Sequence, residues 1–310
     1  MKKKIFVRGP VLSQSGYGEQ SRFALRALRS REDLFDIYIQ PINWGQTGWI
    51  WQEDEMRQWM DRRILETQML LQKQQLQPDI SLQITIPNEF EKLCAINIGY
   101  TAGIETTKVA AQWLEKGNLM DKILVVSQHS KNSYVNTVAQ AQNNQTGEVS
   151  PYKLQTPVEV VWENTPMSSE AEEIPGFDPR HDFNFLCVSQ MGPRKNLENT
   201  IKWFVEEFID QEVGLVLKSN LKSNSVIDKH DKVKAMVSIS HGEGFGLPLF
   251  EAARSALPII AVGWSGQMDF LNFENKDYFL KVKHEMKQVQ QSVVWAGVIE
   301  ADSMWAYADQ

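Results

Sequence analysis

The chain has 310 residues, 42% of them hydrophobic, and a formal net charge of −7. That length suits two domains of ordinary size, and the apolar content excludes a disordered chain. The acidic balance excludes a global attraction to nucleic acid or anionic lipid. Cys94 and Cys187 each sit in an apolar run and read as buried thiols in a reducing compartment, not a disulfide. No apolar stretch approaches a membrane span. The start Met1-Lys2-Lys3-Lys4 lacks a long apolar leader core, so a cytoplasmic protein is expected.

In chain order, short apolar runs at 5–7, 36–42, 80–86, 95–101, 123–127 and 158–162 read as strands. Helix-period segments fall between them at 18–29, 53–75 and 107–115, and 139–150 reads as a polar loop. A linker is expected at 166–182, where Pro166, Pro175, Gly176 and Pro179 stand among acids. Strands at 183–189, 213–217, 235–240 and 258–262 then alternate with helices at 197–209 and 247–255. Strand–helix alternation predicts parallel sheets with helices on both faces. The expected division is an N-terminal domain over 1–165 and a C-terminal domain over 183–310. The segment 218–234 has room for one connection only, and after 262 a single weak helical segment is expected. The C-terminal domain therefore reads as shortened.

Residues 241–251 carry the most information: His-Gly-Glu-Gly-Phe-Gly-Leu-Pro-Leu-Phe-Glu. A buried strand leads into a glycine-rich turn, and a helix follows with Pro248 in its first turn, where a missing N–H costs nothing. Such a turn aims backbone N–H groups and a positive helix end at the carboxyl edge of a sheet, where open α/β sheets bind ligands. Glu243 and Glu251 bracket it. This run resembles the Glu-x7-Glu signature of retaining glycosyltransferases with two facing Rossmann-like domains, the GT-B fold, and family 4 in particular.

The resemblance implies that Glu251 accepts hydrogen bonds from the ribose of a sugar-nucleotide and that Glu243 lies near the donor sugar. Gly244 and Gly246 would let backbone amides approach the ligand, with Phe245 and Leu247 as walls. Ser189-Gln190-Met191-Gly192-Pro193-Arg194-Lys195-Asn196 resembles the family's basic loop, in which Arg and Lys grip the diphosphate. Lys195 matches the lysine; Gln190 stands where many members have the arginine, and Arg194 is the nearest replacement. Lys218, at the carboxyl end of a strand, is a second candidate phosphate contact. Gly16 and Gly18, in Ser-Gly-Tyr-Gly, resemble the first-domain loop that faces the diphosphate across the cleft. They do not form the Gly-x-Gly-x-x-Gly dinucleotide fingerprint.

Trp44 and Trp49 offer flat apolar faces with a polar edge, suited to stacking on sugars or to plain packing. Glu105 stands near where many family members carry a histidine and is a candidate for the acceptor side. His241 adjoins the signature and is a candidate for shaping the pocket. No metal-ligand spacing occurs among the five histidines, so neither metal nor cofactor is expected. The expected activity is transfer of a sugar from a nucleoside-diphosphate donor, UDP or GDP, to a hydroxyl of a glycan, lipid-linked or small-molecule acceptor. A sugar-nucleotide epimerase and a non-catalytic nucleotide- or glycan-binding protein remain open.

Overall fold

The computed structural model describes residues 2–45, 47–51, 53–143, 145–164, 176–219 and 233–309. Residues 166–175 of the expected linker and most of the 218–234 connection lie outside them.

The N-terminal half runs β1 (Lys3–Gly9), α1 (Gly16–Arg29), β2 (Phe35–Pro41), α2 (Glu55–Gln72), β3 (Ile80–Ile84), β4 (Ile96–Thr101), α3 (Ala111–Gly117), β5 (Lys122–Val125), α4 (Gln128–Asn136), the hairpin β6 (Ala139–Gln142) and β7 (Val149–Tyr152), and β8 (Val158–Val160). Six strands form one parallel sheet, ordered β2-β1-β3-β4-β5-β8. Ile5, Phe6 and Val7 are all buried, as expected for a central parallel strand covered on both faces. Two helices start on side-chain caps. Ser15 Oγ accepts from Gly18 N at 3.1 Å, and Asp54 Oδ1 accepts from Arg57 N at 2.7 Å. Each satisfies an amide that the helix itself leaves open.

The C-terminal half runs β9 (Phe183–Val188), α5 (Leu197–Phe208), β10 (Val213–Lys218), β11 (Val233–Ser238), α6 (Leu247–Arg254), β12 (Ile259–Val262), α7 (Met268–Leu271), β13 (Asn272–Phe273), β14 (Lys276–Asp277), β15 (Leu280–Val282), β16 (His284–Gln288) and β17 (Met304–Ala308). Its five-stranded parallel sheet has the order β10-β9-β11-β12-β15. The chain is thus α/β with two Rossmann-like sheets. No helix among the described residues is long and apolar enough to cross a membrane.

Four sequence expectations need correction. Segment 139–150 belongs to a hairpin, with Ala139 paired to Tyr152; its only alternation is the weakly apolar Ala-Gln-Ala-Gln of the first strand, whose alanines are half-buried and glutamines exposed. Helix α4 was not expected; its sequence is polar, and only Ser130, Ser133 and Tyr134 of it are buried. Helix α3 starts at Ala111 because Thr107 N donates to Met304 O at 2.9 Å and Val109 N to Thr137 Oγ1 at 3.0 Å, which holds 107–109 extended. The region after 262 is mostly strand, not a weak helix: α7 has four residues, and β16 pairs antiparallel with β17.

That final hairpin ties the halves together. Met304 N donates to Thr107 Oγ1 at 3.0 Å, Lys108 pairs with Asp302, and Asn88 Nδ2 donates to Gly297 O at 2.9 Å. Trp305 is fully buried and stacks on His241, with ring centroids 4.9 Å apart. Trp305→Ala should therefore cost about 3–5 kcal/mol, the range for truncating a buried aromatic, in urea unfolding. Phe273→Ala, at a side chain 63% exposed, should stay within about 0.5 kcal/mol.

Candidate active site

Two turns meet at the carboxyl edge of the second sheet. After β9 the chain makes one turn of 3-10 helix over Pro193–Lys195, then Asn196 adopts a left-handed conformation (φ 52°) and opens α5. After β11 comes the glycine-rich turn, and α6 opens on Gly246 at φ 96° with no side-chain cap. A side chain at Gly246 would be strained by the backbone alone.

The turns join through charge. Lys195 Nζ lies 2.6 Å from Glu243 Oε1, and Arg194 NH1 lies 3.1 Å from Glu243 Oε2. Arg194 also donates to Gly242 O at 2.7 Å and reaches Glu105 Oε1, in the N-terminal half, at 3.4 Å. Glu243 N donates to Ser265 Oγ at 2.9 Å, and Ser265 Oγ in turn donates to Gln267 Oε1 at 2.9 Å. The Glu243 side chain is only 11% exposed. Burial alone would raise its carboxyl; Lys195 and Arg194 outweigh burial and hold it down at about 2. Burial, with Arg194 adding, lowers the Lys195 ammonium against the pull of Glu243. Burial opposes the Arg194 charge, but Glu105 and Glu243 more than restore it.

A further cation stands on the same edge. Lys218 ends β10 and is lowered by burial, while the charge of Glu251 on α6 acts to raise it. Ser189 and Ser219, just past the ends of β9 and β10, have buried hydroxyls, and among the described residues that of Ser219 has no hydrogen-bond partner, while that of Ser189 adjoins the Cys187 thiol. Sequence reasoning placed Ser189 in the basic loop without a role and passed over Ser219, since nothing in their spacing distinguishes them from other loop residues.

The remaining candidates are placed as follows. A Cβ on Gly244 would lie 2.2 Å from Ala102 O, and one on Gly242 would lie 2.2 Å from Glu105 O. These glycines thus let the turn press against the N-terminal half. Phe245 is 4% exposed and packs with Phe250 and Phe270 in a core shared with Tyr100 and Val126, and Leu247 is half-buried against it. Gly16 is exposed with open space where a Cβ would sit; a Cβ on Gly18 would lie 2.0 Å from Ser13 O. Gly18 is therefore required by its own loop. Trp44 packs on Tyr17 with ring centroids 4.3 Å apart, and Trp49, bridged to Ser13, is 60% exposed. The His241 ring is buried, its Nδ1 2.6 Å from Ala306 O; burial lowers its pKa. No group of three or more metal-ligating side chains occurs among the described residues.

With this geometry in hand, comparison with known proteins bears on the fold. The chain is 12% identical to sucrose-phosphate synthase from Thermosynechococcus elongatus, covering 91% of itself and 86% of that chain at a TM-score of 0.54. The fold is GT-B. The catalytic domain of starch synthase IV from Arabidopsis thaliana, bound to ADP and acarbose, matches at 11% identity, 89% and 86% coverage and TM-score 0.49. The pneumococcal O-GlcNAc transferase GtfA, in complex with UDP and GlcNAc, matches at 12% identity and TM-score 0.43; that match takes in 73% of this chain and about half (49%) of GtfA. No family model and no curated protein matches the chain. Likeness at this identity shows the GT-B fold alone.

Glu243 yields a prediction with a definite sign. Its pKa is depressed from 4.5 to about 2, so its stabilising contribution is present above pH 4.5 and is lost as pH falls through 2. The shift corresponds to about 3 kcal/mol. Glu243→Gln should be less stable than wild type by about that amount at pH 7, and the gap should close between pH 4.5 and 2. Urea midpoints across that range test it; a gap independent of pH would contradict the assignment.

Proposed function

We propose that the protein is a retaining glycosyltransferase of the family 4 type. It would move a hexosyl group from a nucleoside-diphosphate-sugar, UDP- or GDP-linked, to an acceptor hydroxyl. The observation that carries the reading is the junction of Lys195 and Arg194 with Glu243, beside the uncapped start of α6. The leaving group of such a reaction is a diphosphate, and its charge grows as the glycosidic bond breaks. Preorganised cations and open amide dipoles favour that state over the ground state. The GT-B fold shared with a sucrose-phosphate synthase is compatible with the reading, although fold alone carries no chemistry.

In this reaction the bond between the anomeric carbon and the β-phosphate oxygen breaks. The acceptor oxygen bonds that carbon on the face the phosphate vacates, which retains configuration. The acceptor proton passes to the departing phosphate. Lys195 and Arg194 take the diphosphate; Lys218 and the Ser189 and Ser219 hydroxyls are further contacts on the same edge. Glu251 accepts from the ribose hydroxyls, since a carboxylate offers two strong acceptors to a vicinal pair. Glu243 and the turn after it orient the donor sugar. Gly16 and Gly18 face the diphosphate from the other side of the cleft, and Glu105, Trp44 and Trp49 belong to the acceptor side, all contributed by a domain over 1–165 joined by the 166–182 linker to the donor domain over 183–310.

A thermal-shift screen of UDP, GDP and ADP should find one that stabilises the protein, by about 2.7 kcal/mol at a hundred times its dissociation constant. With the matching sugar-nucleotide and a panel of saccharide acceptors, wild type should release free nucleoside diphosphate and form a product with the donor's anomeric configuration. Lys195→Ala should lower kcat about 10²–10³-fold, the usual cost of removing one electrostatic stabiliser. Unchanged turnover in Lys195→Ala and Glu251→Ala would refute the reading. Product formation without any acceptor would instead identify an epimerase.

A further inference from the structure

The second sheet has one edge to which no described strand adds. β10 (Val213–Lys218) is the outermost strand there, paired in unbroken register with β9. Ser189 N donates to Lys218 O at 3.1 Å, so Gly214, Val216 and Lys218 turn their backbone groups toward β9. Alternation along the strand then turns the N–H and C=O groups of Val213, Leu215 and Leu217 outward. Among the described residues these outward groups have no hydrogen-bond partner.

Apolar side chains crowd the same edge. On α5, Phe204 and Phe208 pack on Phe185 of β9, while Trp203 leans the other way, onto Ile239, Val262 and Ala306. Helical spacing puts Ile201, Val205 and Ile209 on one stripe beyond the two phenylalanines, on the β10 side. All three are exposed, Val205 to 47% and Ile209 to 73%, and so is Leu217 on the strand itself. The other sheet edges are blunted: β2 carries Asp36 and ends in Pro41, and β8 and β15 have three residues each. Short strands, prolines and edge charges are how proteins prevent strands from pairing edge to edge. From Val213 to Leu217, β10 has neither a proline nor a charge, and a straight apolar edge of this kind is a template for another strand.

We propose that β10 and the outer stripe of α5 are the interface of a homodimer. Two copies join edge to edge through an antiparallel β10–β10 ladder about a two-fold axis at Leu215, which merges two five-stranded sheets into one. The occupant is a second copy because the strand is complementary to itself. Glu212 and Lys218 stand equally far from Leu215 with opposite charge, so each Glu212 faces the copy's Lys218, a favourable cross-strand pair. Each outward N–H of Val213, Leu215 and Leu217 meets an outward C=O of the copy, since residues opposed in such a ladder exchange both bonds. Phe185 is in register with Leu215 and touches Phe204 and Phe208, which sets Val205 beside the same axis. The two α5 helices therefore lie antiparallel on one face of the merged sheet, with Ile201 of each near Ile209 of the other. A self-complementary contact closes at two copies. This inference is independent of the transferase reading.

Sedimentation velocity of the full chain from about 1 to about 100 μM tests this, with hydrogen exchange at β10 followed over the same range. Wild type should pass from monomer to dimer, and exchange at Val213, Leu215 and Leu217 should slow as the dimer forms. Val205→Lys sets like charges against each other beside the axis. Leu217→Pro removes an outward N–H without touching the ladder to β9, as edge strands allow. Each should raise the dimer dissociation constant about tenfold or more, whereas Leu65→Lys, at an exposed position on α2, should leave it unchanged. Val205→Lys, at an exposed helix position that accepts lysine well, decides the matter if Leu217→Pro fails to fold. A wild type that stays monomeric at the top of the range would overturn the proposal. So would a dimer that Val205→Lys leaves intact or that Leu65→Lys weakens as much. Exchange protection independent of concentration would also overturn it, since the edge would then be covered from within one chain.

Discussion

A single carboxylate, Glu243, held between Lys195 and Arg194, organises the meeting point of the two sheets. Each partner is mostly buried, so none can be left unpaired cheaply; breaking such a pair by removing one member costs about 3–5 kcal/mol. The ion cluster pins the β9–α5 loop to the β11–α6 turn, and through Arg194 it reaches Glu105 in the N-terminal half. Gly242 and Gly244 make the contact possible, because any side chain there would collide with the backbone at Glu105 or Ala102. The β16–β17 hairpin supports the same place from behind, with Ala306 N donating to His241 O at 3.0 Å.

The charge balance of the cluster has a mechanistic consequence. Two carboxylates, Glu105 and Glu243, face two cations, Arg194 and Lys195. The unliganded cluster is therefore close to neutral. An incoming diphosphate competes with Glu243 for the same cations, and the displaced carboxylate becomes free to accept from sugar hydroxyls. On the proposed reading, one glutamate occupies the phosphate grip without ligand and orients the donor sugar with it. On the same edge, Lys218 at the end of β10 feels the charge of Glu251 on α6.

Much of the fold was legible because parallel strands buried on both faces write themselves as continuous apolar runs, as Ile5-Phe6-Val7 and Phe185-Leu186-Cys187-Val188 do. Helix α4 and the β6–β7 hairpin left no such trace, being short, polar and set by tertiary contact. In the site, residue types and order pointed to Lys195, Arg194 and Glu243, and the structure joins them. Gly244 and Gly246 were read as room for a ligand; what the sequence did not show is that Gly242 and Gly244 also make room for the neighbouring backbone at Glu105 and Ala102.

The most direct test is calorimetric titration of wild type, Glu243→Gln and Lys195→Ala with the nucleoside diphosphate that stabilises the protein. If Glu243 competes for the cations, Glu243→Gln binds it more tightly than wild type, by about tenfold for each 1.4 kcal/mol of competition removed, while Lys195→Ala binds it more weakly. Weaker binding in Glu243→Gln, or unchanged binding in Lys195→Ala, would contradict the account.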